Sequence, residues 1–145
     1  INVGLVGSEM CIRDRRYTNM KKKISSKKAP AAIGPYSQGI ETEHLIFLSG
    51  QIPLDPETMQ LVEGEENQIR QVFKNIDALC AEADLNMNHI VKLNVSLQDL
   101  SLFDLVNEIM EELFTEPYPA RAALQVARLP LDSSIEVEAI LAKTI

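Results

Sequence analysis

The stretch Ile90–Gln98, IVKLNVSLQ, alternates without interruption: Val91, Leu93, Val95 and Leu97 fall on one side, Lys92, Asn94, Ser96 and Gln98 on the other. A period of two marks a strand with one apolar and one polar face. On both sides of it the spacing turns helical. Upstream, Ile69, Val72, Phe73, Ile76, Leu79, Cys80 and Ala83 recur every three or four residues, with Glu65 and Glu66 in the first turn, where the helix dipole favours acids. Downstream, Phe103, Val106, Ile109, Met110, Leu113 and Phe114 predict a second amphipathic helix, started by Ser101 and Asp104 and stopped by Pro117 and Pro119.

The outer segments read as strands. Lys22–Ser26 is a candidate edge strand, and Gly39–Thr42 with Leu45–Ser49 forms a hairpin around Glu43 and His44. The continuous run Leu45-Ile46-Phe47-Leu48 predicts a central strand buried on both faces. Arg121–Arg128 and Ile135–Lys143 alternate again across the turn Leu129–Ser134. The order is therefore β-β-β-α-β-α-β-β, an α+β fold in which a mixed six-stranded sheet carries two helices packed on one face. Matching apolar positions puts Ala122, Leu124 and Val126 under the helices with Val91, Leu93 and Val95. Arg121, Ala123, Gln125, Ala127, Glu136 and Glu138 then join Lys92, Asn94 and Ser96 on the open face. A broad open face of small and charged residues suits contact with further copies of the chain, and closed rings are a common solution.

The chain has 145 residues, enough for one domain and one core. Ile1–Asn19 shows no periodicity and places its apolar part before Arg13, Arg15 and Arg16, the reverse of a secretory leader. Residues 1–19 are expected to be a non-native or disordered extension, and residues 20–145 the single domain. Fourteen Lys and Arg against 21 Asp and Glu give a net charge of −7, which repels a phosphate backbone and argues against nucleic-acid binding. No apolar run approaches the length of a membrane-spanning helix, and Cys11 and Cys80 form neither a disulfide framework nor a metal motif. With two histidines in the chain, His44 and His89, metal catalysis is not expected, and a reducing cytoplasm is the simplest compartment.

Pro119-Ala120-Arg121, taken with Glu136, is the strongest chemical candidate. A guanidinium fork grips a carboxylate bidentately, and a partly buried glutamate of matching parity can order a water or carry its proton. On spacing alone, an Arg–Glu salt bridge cementing a subunit contact is the commoner explanation of the pair. Tyr36 sits in the turn Gly34–Gly39 and could present a phenol to a pocket or pack on its rim. Ser49 and Gly50 end a strand where a backbone N–H could approach a ligand, or simply turn. Asn107 reaches either a pocket or solvent, and Cys80 belongs to the apolar helical stripe.

Four segments in order, AAIGPYSQGI (31–40), LSGQIPLDP (48–56), QVFKNIDALC (71–80) and YPARAALQVARLPLDSSIEVEAI (118–140), together resemble the reactive-intermediate deaminase family, of the RidA or YjgF type. The resemblance implies a chorismate-mutase-like fold and a homotrimer with active sites in clefts between subunits. It further implies hydrolysis of 2-imino acids, or their enamine tautomers, to 2-oxo acids and ammonia without a cofactor. Carried over by position, Arg121 holds the substrate carboxylate and Glu136 stands near the water and the imine nitrogen, while Tyr36, Ser49, Gly50 and Asn107 line the site. Many deaminating members carry Arg-Ser-Cys where this chain has Arg121-Ala122-Ala123, so Ala123 offers backbone but no thiol. The resemblance leaves two further readings open, a non-catalytic trimer that binds small carboxylates and an RNA-cleaving translation inhibitor, the latter opposed by the acidic charge.

Overall fold

The computed structural model describes residues 21–145; the expectation for residues 1–19 lies outside the described residues. Six strands, β1 (Lys22–Ile24), β2 (Gly39–Glu41), β3 (Leu45–Gln51), β4 (Ile90–Leu97), β5 (Ala120–Gln125) and β6 (Ile135–Ala142), form one sheet. Their spatial order is β1-β2-β3-β6-β4-β5. All pairs are antiparallel except β4 with β5, which is parallel because α2 (Phe103–Leu113) makes the crossover between them. The other long helix, α1 (Glu65–Glu82), joins β3 to β4. The α+β order expected from periodicity is the order observed.

The core lies between the helices and one sheet face. Ile69, Val72, Phe73, Ile76 and Leu79 of α1 and Val106 and Ile109 of α2 pack on Ile46, Leu48, Leu93, Val95, Leu97, Ile135, Val137, Ala139 and Leu141. Burying each of the larger side chains contributes about 1.5–3 kcal/mol, which fixes the sheet's inner face. Phe73 meets Phe114 edge to face, with centroids 5.8 Å apart, closing the gap between the helices. Gly64 starts α1 with φ 88°, a left-handed conformation that side chains disfavour. A 3₁₀ turn, Leu100–Leu102, leads into α2; its cap is Asp99, whose carboxylate accepts the Ser101 N–H at 2.8 Å, so the cap lies two residues before the expected one.

Three expectations about faces are corrected. Leu45 and Phe47 are 37% and 42% exposed, so β3 is buried on one face only; its apolar run serves the core with Ile46 and Leu48 and presents the others outward. Val91 is also exposed, because the β4–β6 register shifts between Ile90 and Lys92. Most consequential is β5, where Leu93 pairs with Arg121, Val95 with Ala123 and Leu97 with Gln125. Paired residues share a face, so Arg121 and Ala123 lie on the helix side, while Ala122 and Leu124 lie on the open side with Asn94 and Ser96. The strand carries alanines on both faces, which leaves its apolar alternation nearly symmetric. The long Arg121 side chain takes the helix side because β5 is an edge strand, where the stem lies against α2 and the charged end still reaches water.

Candidate active site

Arg121 is the second residue of β5, and its side chain runs over the outer part of α2. Nη1 donates to Asn107 Oδ1 at 2.7 Å and lies 3.4 Å from Met110 Sδ. The guanidinium carbon stands 4.9 Å from the centroid of the Phe103 ring. Phe103, Asn107 and Met110 follow at i, i+4 and i+7, the spacing that places three side chains on one helical stripe. Among the described residues no side chain takes Nε or Nη2, so one edge of the guanidinium is anchored and the opposite, side-on edge is open. One cleft borders it and a second lies beside its Phe103 partner. The first, of about 320 Å³, is lined by Asn107, Met110, Glu111, Tyr118, Pro119 and Arg121; the second, of about 360 Å³, is lined by Leu100, Ser101, Phe103, Asp104 and Ala123.

Glu136, the second residue of β6, pairs in register with Ser96, which puts it on the open face. Arg121 and Glu136 therefore occupy opposite faces of the sheet, contrary to the parity expected for them. Glu136 lies against Gly50: a Cβ there would come within 2.9 Å of Glu136 Cδ and 3.1 Å of Cγ. Ser49 and Gly50 form the bulge of β3, two residues between the pairs Leu48↔Ala139 and Gln51↔Val137, and this opens the strand end beside the carboxylate. Burial pushes the Glu136 carboxyl above its ordinary range, and the charge of Glu138 on the same face adds to the effect.

The Ser49 hydroxyl donates to the Ser37 carbonyl at 2.5 Å, and the Ser49 N–H to the Gln38 carbonyl at 3.0 Å. These bonds bring the turn that carries Tyr36 to the Ser49–Gly50 end. Tyr36 itself is half exposed, its hydroxyl accepting the Ile33 N–H at 3.4 Å. The candidate residues thus form two groups, Arg121, Asn107 and Ala123 around α2, and Ser49, Gly50 and Glu136 with the Tyr36 turn on the other side. Phe103, Met110 and Gln38 were not singled out from sequence. The first two merged into the apolar stripe of α2, although an aromatic, an amide and a thioether at i, i+4 and i+7 are a readable cradle for a cation. Cys80 is buried, its thiol pushed up to about 12 chiefly by that burial, which makes it a poor nucleophile. No group of three or more His, Cys, Asp or Glu side chains able to hold a metal occurs among the described residues.

The fold and this geometry define an α+β domain that offers a cradled guanidinium at one edge of its sheet and a partly buried carboxylate on the opposite face. The family model described as "Endoribonuclease L-PSP" matches residues 26–143, and the chain belongs to this family, the RidA/YjgF proteins. It is 48% identical over 121 residues to a RutC family protein of Pyrococcus abyssi, covering 83% of this chain and 95% of that one. It is 46% identical over 122 residues to the 2-iminobutanoate/2-iminopropanoate deaminase of Mus musculus, covering 83% and 90%. The crystal structure of RidA from the Antarctic bacterium Psychrobacter sp. PAMC 21119 superposes with a TM-score of 0.82 at 50% identity, covering 83% of this chain and 98% of that one.

Proposed function

We propose that the protein hydrolyses reactive 2-imino acids, and the enamines that tautomerise to them, to 2-oxo acids and ammonia. The observation that carries this reading is the open Nε/Nη2 edge of Arg121, a directional fork for a small carboxylate in a cleft of about 320 Å³. Glu136 supplies the second requirement, a carboxyl whose raised pKa suits proton transfer. Because the two groups face opposite ways, the reading requires a homotrimer in which Arg121 of one copy meets Glu136 of the next across a subunit cleft. The exposed Phe47 and Leu124 on the open face, at 42% and 62%, favour its burial against other copies.

In the reaction, Arg121 holds the carboxylate and fixes the imine carbon. Water adds to that carbon while Glu136 takes a proton from it. That proton passes to nitrogen, giving a carbinolamine; Glu136 then carries the hydroxyl proton to nitrogen as the carbonyl forms and the C–N bond breaks, and ammonia leaves. The residues named here need no cofactor for this sequence. Similarity to the murine enzyme supports the same chemistry, and a cytoplasmic setting follows from the intracellular origin of such imines. Among the described residues no helix is long and apolar enough to cross a membrane.

The test couples the protein to a threonine dehydratase, which releases 2-iminobutanoate, and follows 2-oxobutanoate and ammonia. Release faster than the uncatalysed rate, lost with Arg121→Ala, supports the reading; release no faster than without protein overturns it. A second reading, carboxylate binding without turnover, is favoured by the completeness of the Arg121 cradle within one copy. Tight binding of 2-oxobutanoate with no acceleration would establish it. RNA cleavage, which the family description names, is opposed by the net charge of −7, and salt-dependent retention on RNA would revive it.

A further inference from the structure

Three residues of α2 converge on one guanidinium, and they hold it in different ways. Asn107 Oδ1 and Met110 Sδ engage Nη1, which fixes one point of the group. A single anchored nitrogen leaves the plane free to turn about the side chain's last bonds. The Phe103 ring, 4.9 Å from the guanidinium carbon, is the contact that restrains that rotation. Core packing does not account for this ring. Val106, Ile109 and Met110 are the buried residues of α2, whereas Phe103 begins the helix, is only partly buried and borders the cleft that contains Ala123. Acids stand on either side, Asp104 in that cleft and Glu111 in the other, and each is a rival partner for a guanidinium that can swing.

We propose that Phe103 is a positioning residue that sets the plane of the Arg121 guanidinium and so aims its open Nε/Nη2 edge at an incoming carboxylate. This rests on the functional reading above, in which Arg121 grips the substrate. The ring acts in two ways. It takes water off one face of the cation, which lowers the cost of desolvating that group when an anion binds, and it removes a rotation that binding would otherwise have to freeze. The contribution belongs to recognition, so it is felt in KM and in product affinity more than in kcat.

The probe is 2-oxobutanoate, titrated by NMR, which reaches millimolar Kd, with steady-state kinetics in parallel. Phe103→Leu keeps an apolar side chain and should weaken binding and raise KM about 3- to 30-fold with a smaller change in kcat, while Phe103→Tyr, which keeps the ring, should restore both. In an Arg121→Ala background Phe103→Leu should have no further effect on Kd. A Phe103→Leu protein that binds as tightly as the unaltered one overturns the inference. So does a loss of the same size in the Arg121→Ala background, since the ring would then act without the guanidinium, and so does a Phe103→Tyr protein as weak as the leucine variant. If Arg121→Ala alone leaves binding and turnover intact, the functional reading fails and this inference with it; if Arg121→Ala is damaging and only the Phe103 predictions fail, the functional reading stands.

Discussion

Gly50 and Glu136 sit on neighbouring strands so closely that a Cβ at position 50 would lie 2.9 Å from Glu136 Cδ, nearer than side-chain carbons approach. The carboxylate fills the space that a side chain at the bulge would take. Gly50→Ala must therefore displace Glu136, because the backbone behind it is held by the Ser49 N–H on the Gln38 carbonyl. Because the atoms in the way belong to the flexible end of a partly buried side chain, the cost in stability should be small. The larger effect is expected on rate: kcat/KM should fall roughly 10- to 100-fold while circular dichroism stays unchanged, since a displaced proton carrier no longer meets its partner. A Gly50→Ala protein with full activity would show that Glu136's location is irrelevant to turnover.

On the proposed reading, Arg121→Ala removes the anchor for the substrate carboxylate and leaves that carboxylate desolvated without a partner. On the usual cost of such a loss, kcat/KM should fall by roughly thirty-fold to a few thousand-fold. Arg121→Lys keeps the charge but loses the two-pronged edge and the planar contact with Phe103, so it should recover only part of the loss. Steady-state kinetics on dehydratase-generated imine decides both.

The opposite faces of Arg121 and Glu136 give a test that needs no structure of the assembly. If each site takes its arginine from one copy and its glutamate from the next, the Arg121→Ala and Glu136→Gln proteins should each be nearly inactive. Mixed, unfolded and refolded together, they should regain activity, because about one cleft in four then receives an intact residue from each side. No recovery, with light scattering showing that the mixed oligomer has formed, would place the complete site within a single copy.

The strand-and-helix order was legible because each element repeats its own period: Ile69 to Leu79 cannot serve a strand, nor Leu93 to Leu97 a helix. The facing of β5 was not legible. Alanines stand on both faces, Ala120 and Ala122 on one and Ala123 on the other, and so mark no inner side, and the register Leu93↔Arg121 depends on how the crossover through α2 delivers the chain, which is a tertiary property. The candidate residues were visible as chemical types; that Asn107 accepts a hydrogen bond from Arg121 was not among the readings the spacing offered. Which of them share a protomer's face could not be read, because parity counts from one strand do not carry across a crossover.

Glu136 ionises less readily than an ordinary glutamate, first because burial penalises its charge and second because Glu138 repels it. If the ionised form is the working one, kcat/KM should fall on acidification through a limb set by Glu136, which burial and Glu138 push up and Arg121 of the neighbouring copy draws down, and Glu136→Gln should abolish the limb together with most of the rate. Glu138→Gln removes a negative neighbour, eases ionisation of Glu136 and moves the limb to lower pH. That movement should be small, since repulsion is the lesser cause. A limb that moves to higher pH in Glu138→Gln would show that another group controls it.

Gln38 organises the segment that carries Tyr36. Its buried side-chain amide accepts the Ser26 N–H at 2.7 Å and shares its own hydrogens among the carbonyls of Ser26, Ala29 and Pro30 at 3.0, 3.2 and 2.7 Å. Its main-chain carbonyl receives the Ser49 N–H, so one residue joins the loop after β1 to the strand end beside Glu136. Gln38→Ala strands these groups and should cost at least about 1–3 kcal/mol in urea unfolding, with a clear loss of activity under folded conditions. Gln38→Glu preserves the shape but turns a donor into an acceptor facing three carbonyls. Its carboxyl pKa must rise on folding, because only the protonated form has a hydrogen to give. The penalty should therefore be greatest at neutral pH and shrink as pH falls through that raised pKa, so the gap in Tm between this variant and the unaltered protein should narrow on acidification. A gap that is constant with pH would mean that the donated hydrogens do not hold the loop.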